Sequence, residues 1–246
     1  MAKERIDKIL VERGLVPSRE RARALILAGQ VLVSETVVDK AGSQIYTDAP
    51  IRLKIDDIPY VSRGGLKLEK ALDEFEVLVE GVVAIDVGAS TGGFTDCLLQ
   101  RGASRVYAVD VGYGQLDWKL RSDERVTNLE RTNIRHLEPA TLADIPSLAV
   151  IDASFISLEK VLPPTLLLLT ENAQIVALIK PQFEVGRGEV GKGGVVRDQA
   201  KHDQVIERIS AFVLNSGCKI IGLTESPLLG PKGNREFLIA FQRVIS

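Results

Sequence analysis

Two lysines and two carboxylates occupy places where an idle charge is unexpected. Lys67 lies between Leu66 and Leu68, Asp152 follows LAVI, Lys180 follows QIVALI, and Glu236 precedes FLIAF. Taken alone, Lys67 reads as a surface lysine whose stem snorkels along apolar neighbours. As a set, the four suit the activation of a weak nucleophile such as a sugar hydroxyl, which needs in-line positioning and a base. A lysine can be that base once desolvation and a like charge bring it below its free pKa of about 10.4, and Lys67 is the candidate source of that charge for Lys180. Asp152 and Glu236 would orient the amines and balance them.

The stretch that would bring a second reactant to these residues is VVAIDVGASTGGFTD, residues 82–96. It reads as a buried strand ending in Asp86, a glycine-rich turn with Gly88, Gly92 and Gly93, and a helix running to Gly102. Such a turn can wrap a ligand at a helix N-terminus. Its spacing is neither Gly-x-Gly-x-x-Gly nor a P-loop, which disfavours pyrophosphate. RVYAVDVG then ends a second strand in Asp110, placed like a carboxylate that holds ribose hydroxyls. A cofactor with a ribose and no phosphate fits best, and S-adenosyl-L-methionine is that cofactor.

The same loop contains Gly88-Ala89-Ser90-Thr91-Gly92, formally a nucleophile elbow, with Asp152 and His202 downstream in α/β-hydrolase order. The strand is the first of its domain, no oxyanion segment precedes it, and a triad explains neither Asp86 nor Asp110. A tight turn with no ligand is the plainer alternative.

These residues sit in a chain of 246 residues, 45% hydrophobic and 26% charged, enough for one or two globular domains with a substantial core. Cys97 and Cys218 are too few for a disulfide framework, and with His136 and His202 they make no metal-ligand spacing, so no metal is expected. No signal segment and no run of 18 apolar residues is evident; Val161 to Leu169 is interrupted by Pro163 and Pro164. The expectation is a cytoplasmic monomer with no membrane partner. A net charge of −2 requires any nucleic-acid affinity to come from local clusters.

Residues 1–59 read as a separate small α+β module. Ile6, Ile9, Leu10 and Arg13 mark a helix closed by Gly14. Ser18 caps a second helix carrying Ala22, Leu25 and Ile26, which ends at Gly29. VLVSETVV and IRLKI read as short strands. Arg13, Arg19, Arg21 and Arg23 oppose a lone Glu20, so one helical face is positive. SRERARALILAGQVLV resembles the α-L RNA-binding motif of the ribosomal S-four type, which implies RNA contacts at Arg5, Arg19, Arg23 and Lys40.

Asp56, Asp57 and Pro59 mark a turn, and residues 60–246 form the second domain. SRGGLKLEKALDEF supplies a helix with Leu66, Leu68, Leu72 and Phe75. Strands follow at RVTNLER, LAVIDAS, AQIVALIKP, KIIGLTES and EFLIAFQRV, with helices over 157–169 and 198–215, giving a Rossmann-like doubly wound seven-strand α/β sheet. The glycine-rich stretch 182–198 is long enough for a lid or a disordered loop, with Arg187, Lys192 and Arg197 as a basic tip.

DVGASTGGFTD, SRGGLKL, IDASFISL, LIKPQFE and GNREF together resemble the TlyA family, known under both hemolysin and ribosomal RNA 2′-O-methyltransferase names. The second domain resembles FtsJ-type RNA methyltransferases. The resemblance implies a Lys67-Asp152-Lys180-Glu236 catalytic tetrad and a cofactor site lined by Asp86, Gly88, Gly92, Gly93, Phe94, Asp110, Asn133 and Asp152. It further implies ribosomal RNA or ribosomal subunits as partner, cytidine ribose as target, and Arg63 and Arg187 as RNA contacts. Asn133 stands where many methyltransferases place an aspartate against the adenine amino group. Two other readings are a membrane-damaging hemolysin and an RNA-binding protein with a degenerate cofactor domain; the complete tetrad argues against the second.

Overall fold

The computed structural model describes residues 3–16, 18–54, 58–186, 188–191 and 193–244. The chain divides into two compact units, Met1–Pro59 and Tyr60–Ser246. Asp56 and Asp57, expected at a turn, lie outside the described residues.

In the first unit, β1 (Lys3–Arg5) leads into α1 (Ile6–Glu12), and α2 (Arg19–Leu27) follows. Ser18 Oγ accepts the Arg21 amide at 3.2 Å and caps α2. VLVSETVV is two strands, β2 (Val31–Val33) and β3 (Thr36–Val38), because Ser34 and Glu35 both take positive φ and turn the chain back. β5 (Ile51–Leu53) joins the other edge of β2, and β4 (Gln44–Tyr46) pairs with β1. Ile6, Leu10, Ala22, Leu25, Ile26 and Val31 form the core.

The second unit begins with α3 (Gly64–Glu74) and then alternates strand and helix: β6 (Val83–Val87), α4 (Gly93–Gln100), β7 (Arg105–Val109), α5 (Trp118–Arg121), β8 (Val126–Leu129). β9 (Leu148–Ile151), α6 (Leu158–Leu166), β10 (Gln174–Ile179), α7 (Pro181–Glu184), α8 (Gln199–Asn215), β11 (Cys218–Glu225) and β12 (Phe237–Arg243) complete it. The seven strands run in the order β11-β12-β10-β9-β6-β7-β8. β6 to β10 are mutually parallel, and β12 enters antiparallel beside β10.

Helices cover both faces of the central strands β6, β7, β9 and β10, which are therefore mostly apolar, and successive residues there feed alternate cores. Ile85 and Val87 join one core with Leu162 of α6 and Ile209 of α8. Ala84 joins the other with Leu68 of α3 and Leu98 of α4. Strand order reverses between β6 and β9, where the loops after their carboxyl ends part and leave a crevice. Among the described residues no helix is long and apolar enough to cross a membrane.

Candidate active site

Two clefts open at the carboxyl ends of the strands and meet at Gly88, Ser90, Asp152 and Ser154. The first, about 500 Å³, has apolar walls from Val109, Val111, Ile134 and Ile156, with Asp110 and Asn133 as polar points. The second, about 480 Å³, holds Arg63, Lys67, Lys180 and Glu236.

Asp110 anchors the first cleft. Its Oδ2 accepts the Ser90 amide at 2.8 Å and its Oδ1 the Gly112 amide at 2.6 Å, so one carboxylate fixes both the glycine turn and its own loop. Gly88 has φ +89°, and a Cβ there would lie 2.8 Å from the Asp152 carbonyl oxygen. Only glycine lets the β6 and β9 loops approach this closely. The space, the apolar walls and the carboxylate are of the kind that hold a nucleoside.

Gly93 and Phe94 line the second cleft rather than the first. A Cβ on Gly93 would come within 2.2 Å of Ser62 Oγ and 2.9 Å of the Gly65 amide nitrogen. The paired glycines of SRGG and TGG thus let the starts of α3 and α4 touch, which brings Lys67 beside the glycine turn.

Three residues expected at the cofactor stand differently. Asp86 lines neither cleft. It alternates with Ile85 and Val87, so its side chain falls on the face covered by α4, where it is fully buried and its Oδ2 accepts the Thr95 hydroxyl at 2.7 Å. Burial pushes this carboxyl up to about 7, against the Thr95 hydrogen bond and with the Asp152 charge. Gly92 also faces away from the clefts: a Cβ there would meet Leu120 and Leu116 side chains at 2.2 and 2.8 Å. Asn133 does line the first cleft, but its Oδ1 already accepts from the Arg135 amide at 3.1 Å, as the cap of a short 3-10 turn.

The four chemical residues converge as two ion pairs. Lys67 Nζ donates to Glu236 Oε2 at 2.5 Å, with side chains 11% and 0% exposed. Lys180 Nζ lies 2.5 Å from Asp152 Oδ1 and donates to Ser154 Oγ at 2.9 Å. Each amine therefore has its own carboxylate. Gln182 Nε2 donates to Glu236 Oε1 at 3.3 Å, and a Cβ at Gly230 would lie 2.0 Å from that oxygen. Ser154, Gln182 and Gly230 were not singled out by sequence; their neighbours to Lys180 and Glu236 in IDASF, KPQ and GPKGNRE are the available signal.

The hydrolase triad is not assembled. Ser90 Oγ donates to Gln115 Oε1 at 3.1 Å, while His202 is buried on α8 with Nε2 2.9 Å from the Val196 carbonyl. Within the stretch 182–198, Val195 and Val196 are buried, and Asn234 Oδ1 accepts the Val196 amide at 3.1 Å.

In the first unit, Arg5, Arg19 and Arg23 gather on one residue that the sequence reading passed over. Asp7 is fully buried; its Oδ1 lies 2.9 Å from Arg5 Nε, and its Oδ2 lies 2.9 Å from Arg19 Nη2 and 3.4 Å from Arg23 Nε. The arginine hydrogen bonds hold the Asp7 carboxyl well below the usual carboxylate range. Lys40 is exposed after β3, Arg63 is exposed at the second cleft, and Arg187 lies outside the described residues.

The FtsJ-like methyltransferase family matches residues 60–243, and the S4 domain matches residues 4–46. YqxC of Bacillus subtilis is 52% identical over 238 residues, covering 96% of this chain and 85% of that protein. The 16S/23S rRNA (cytidine-2′-O)-methyltransferase TlyA of Mycobacterium tuberculosis is 44% identical over 236 residues, covering 96% and 88%. A solved structure from Streptococcus thermophilus, provisionally named a hemolysin, is 46% identical with a TM-score of 0.78, covering all of this chain and 90% of that one.

Proposed function

The chain belongs to the FtsJ-like methyltransferase family, and on that premise we propose that it transfers a methyl group from S-adenosyl-L-methionine to the 2′-hydroxyl of a cytidine ribose in ribosomal RNA. The observation that carries this reading is the junction of the two clefts at Asp152 and Ser154, with a nucleoside-sized space on one side and the two lysine–carboxylate pairs on the other. The cytidine ribose is taken from the TlyA relative, whose name states that substrate.

Asp110 would hold the cofactor ribose, Gly88 would leave room for its backbone approach, and Val111 and Ile134 would flank its base. When bound, this cofactor supplies an electrophilic methyl group. Lys180 is the general base of this reading, its Nζ taking the proton of the target hydroxyl. Asp152 keeps that amine at the cleft junction and balances the positive charge it carries once protonated. Lys67, held by Glu236, offers a second cation beside the alkoxide that develops. Arg63 at the cleft mouth, with Arg19 and Arg23 of the S4 domain, supplies phosphate contacts.

The experiment is a comparison of ribosomal RNA from cells with and without the gene, read by resistance of the 2′-O-methylated linkage to alkaline cleavage. A protected cytidine that vanishes with the gene is the expected result. Identical protection patterns would refute the reading.

A further inference from the structure

The loop that carries Asp152 and the turn that carries Lys180 are joined by a ladder of contacts. Lys180 meets Asp152 at 2.5 Å and Ser154 at 2.9 Å, and the Phe183 ring lies 4.9 Å from that of Phe155. The last rung is Glu184, 6% exposed. Its Oε2 accepts from Ser157 Oγ at 2.7 Å and its Oε1 from the Leu158 amide at 2.8 Å. From the far side, Arg208 Nη2 of α8 donates to Glu184 Oε2 at 3.1 Å and to the Glu184 carbonyl at 2.8 Å.

This carboxylate is a costly way to end a helix. Ser157 already caps α6 by accepting the Glu159 amide at 3.2 Å. Burial raises the Glu184 carboxyl above its ordinary range, the largest influence on it. An apolar side chain of similar volume would fill the same space without the cost of burying a charge, though it would leave the Leu158 amide and the Ser157 hydroxyl without their acceptor. What an apolar residue could not do is fix the register between two short loops, and those loops hold the two halves of one ion pair.

We infer that Glu184, backed by Arg208, is a positioning residue that sets the spacing between Lys180 and Asp152. The inference rests on the reading of that pair as the proton-handling part of the site. Glu184 touches neither substrate nor cofactor in this account and acts through the β9–α6 loop.

Glu184→Leu keeps the volume and removes the side-chain bonds to Ser157, Leu158 and Arg208 while the main-chain carbonyl still accepts from Arg208; Glu184→Gln keeps an acceptor for the Leu158 amide and loses the charge that faces Arg208. With labelled S-adenosylmethionine and ribosomal RNA, Glu184→Leu should lower kcat about 10- to 100-fold, the scale of an ångström-level misplacement. KM for both substrates and the stoichiometry of cofactor binding should stay as in the wild type, and Glu184→Gln should restore most of kcat. An unchanged kcat, or a loss matched by lost cofactor stoichiometry, would overturn the inference in favour of a purely structural role. A crystal structure of Glu184→Leu decides the same question without turnover: Nζ and Oδ1 should separate beyond hydrogen-bonding distance, and an intact pair would overturn the inference. Wild-type protein that transfers no methyl group would refute the proposed function itself, a result distinct from either.

Discussion

Both units of this protein build ionic clusters from the same chemistry and turn them in opposite directions. In the first, one fully buried carboxylate, Asp7, gathers three arginines whose side chains remain 42–51% exposed. In the second, the lysines are the withdrawn partners, 11% and 8% exposed, each against one carboxylate. Where the anion is buried and the cations face outward, the surplus positive charge is offered to solvent, which suits long phosphate backbones. Where the cations are withdrawn and individually balanced, they act only on what enters the cleft. Asp86 completes the comparison as a buried carboxylate with no ion pair among the described residues; its carboxyl moves up where that of Asp7 moves down.

The largest expected effect breaks the withdrawn pair. Under the proposed function Lys180→Met should cost about 10²- to 10⁴-fold in kcat while both substrates still bind. Lys180→Arg should fail to rescue it, since a guanidinium stays protonated. An active Lys180→Arg enzyme would mean that the proton leaves by another route.

Asp86 gives the next effect, on stability. Its native carboxyl keeps its proton up to about pH 7, whereas in the unfolded chain it ionises near 3.8. The unfolded state is therefore favoured increasingly as pH rises through that window, and the penalty is complete above pH 7. Its size is of order 4 kcal/mol. Asp86→Asn should remove this slope, so that urea midpoints of variant and wild type converge near pH 4 and the variant is the more stable at pH 8. Parallel midpoints across that range would contradict the burial argument.

The smallest effects sharpen the arginine side. The depressed Asp7 carboxyl contributes stability above the ordinary carboxylate range and loses it as pH falls below about 4, so Asp7→Asn should flatten the acid limb of the protein's stability–pH profile. The arginines are half exposed, and about 1–2 kcal/mol is the expected scale. Arg19→Gln should weaken RNA binding and reduce the slope of log affinity against log salt by about one contact. An unchanged slope would remove Arg19 from the phosphate contacts.

The central strands of the second unit were legible because their runs of Val, Ile, Leu and Ala are covered on both faces, whereas β11 was legible as an alternation with one exposed face. β1 and β4 were missed because KER and QIY are too short and polar to signal a strand. Of the expected cofactor residues, Gly88, Asp110, Asn133 and Asp152 line the first cleft. The alternation of Ile85, Asp86 and Val87 was itself the clue that Asp86 points beneath α4. The side on which Gly92 lacks a Cβ depends on contacts with Leu116 and Leu120, which no local pattern encodes. Asp7 and Glu184 escaped notice because their roles lie in partners that folding brings together: Arg19 and Arg23 for the first, and Ser157, Leu158 and Arg208 for the second. Lys67 and Glu236, 169 positions apart, were grouped by residue type and placement, but no local pattern shows that they pair with each other.

The most direct test of the central claim is nucleoside analysis of ribosomal RNA incubated with the purified protein and methyl-labelled S-adenosylmethionine. The account predicts label in 2′-O-methylcytidine with the wild type and none with Lys180→Met. Label on a nucleobase, or no label with a wild-type protein that binds the cofactor, would contradict it.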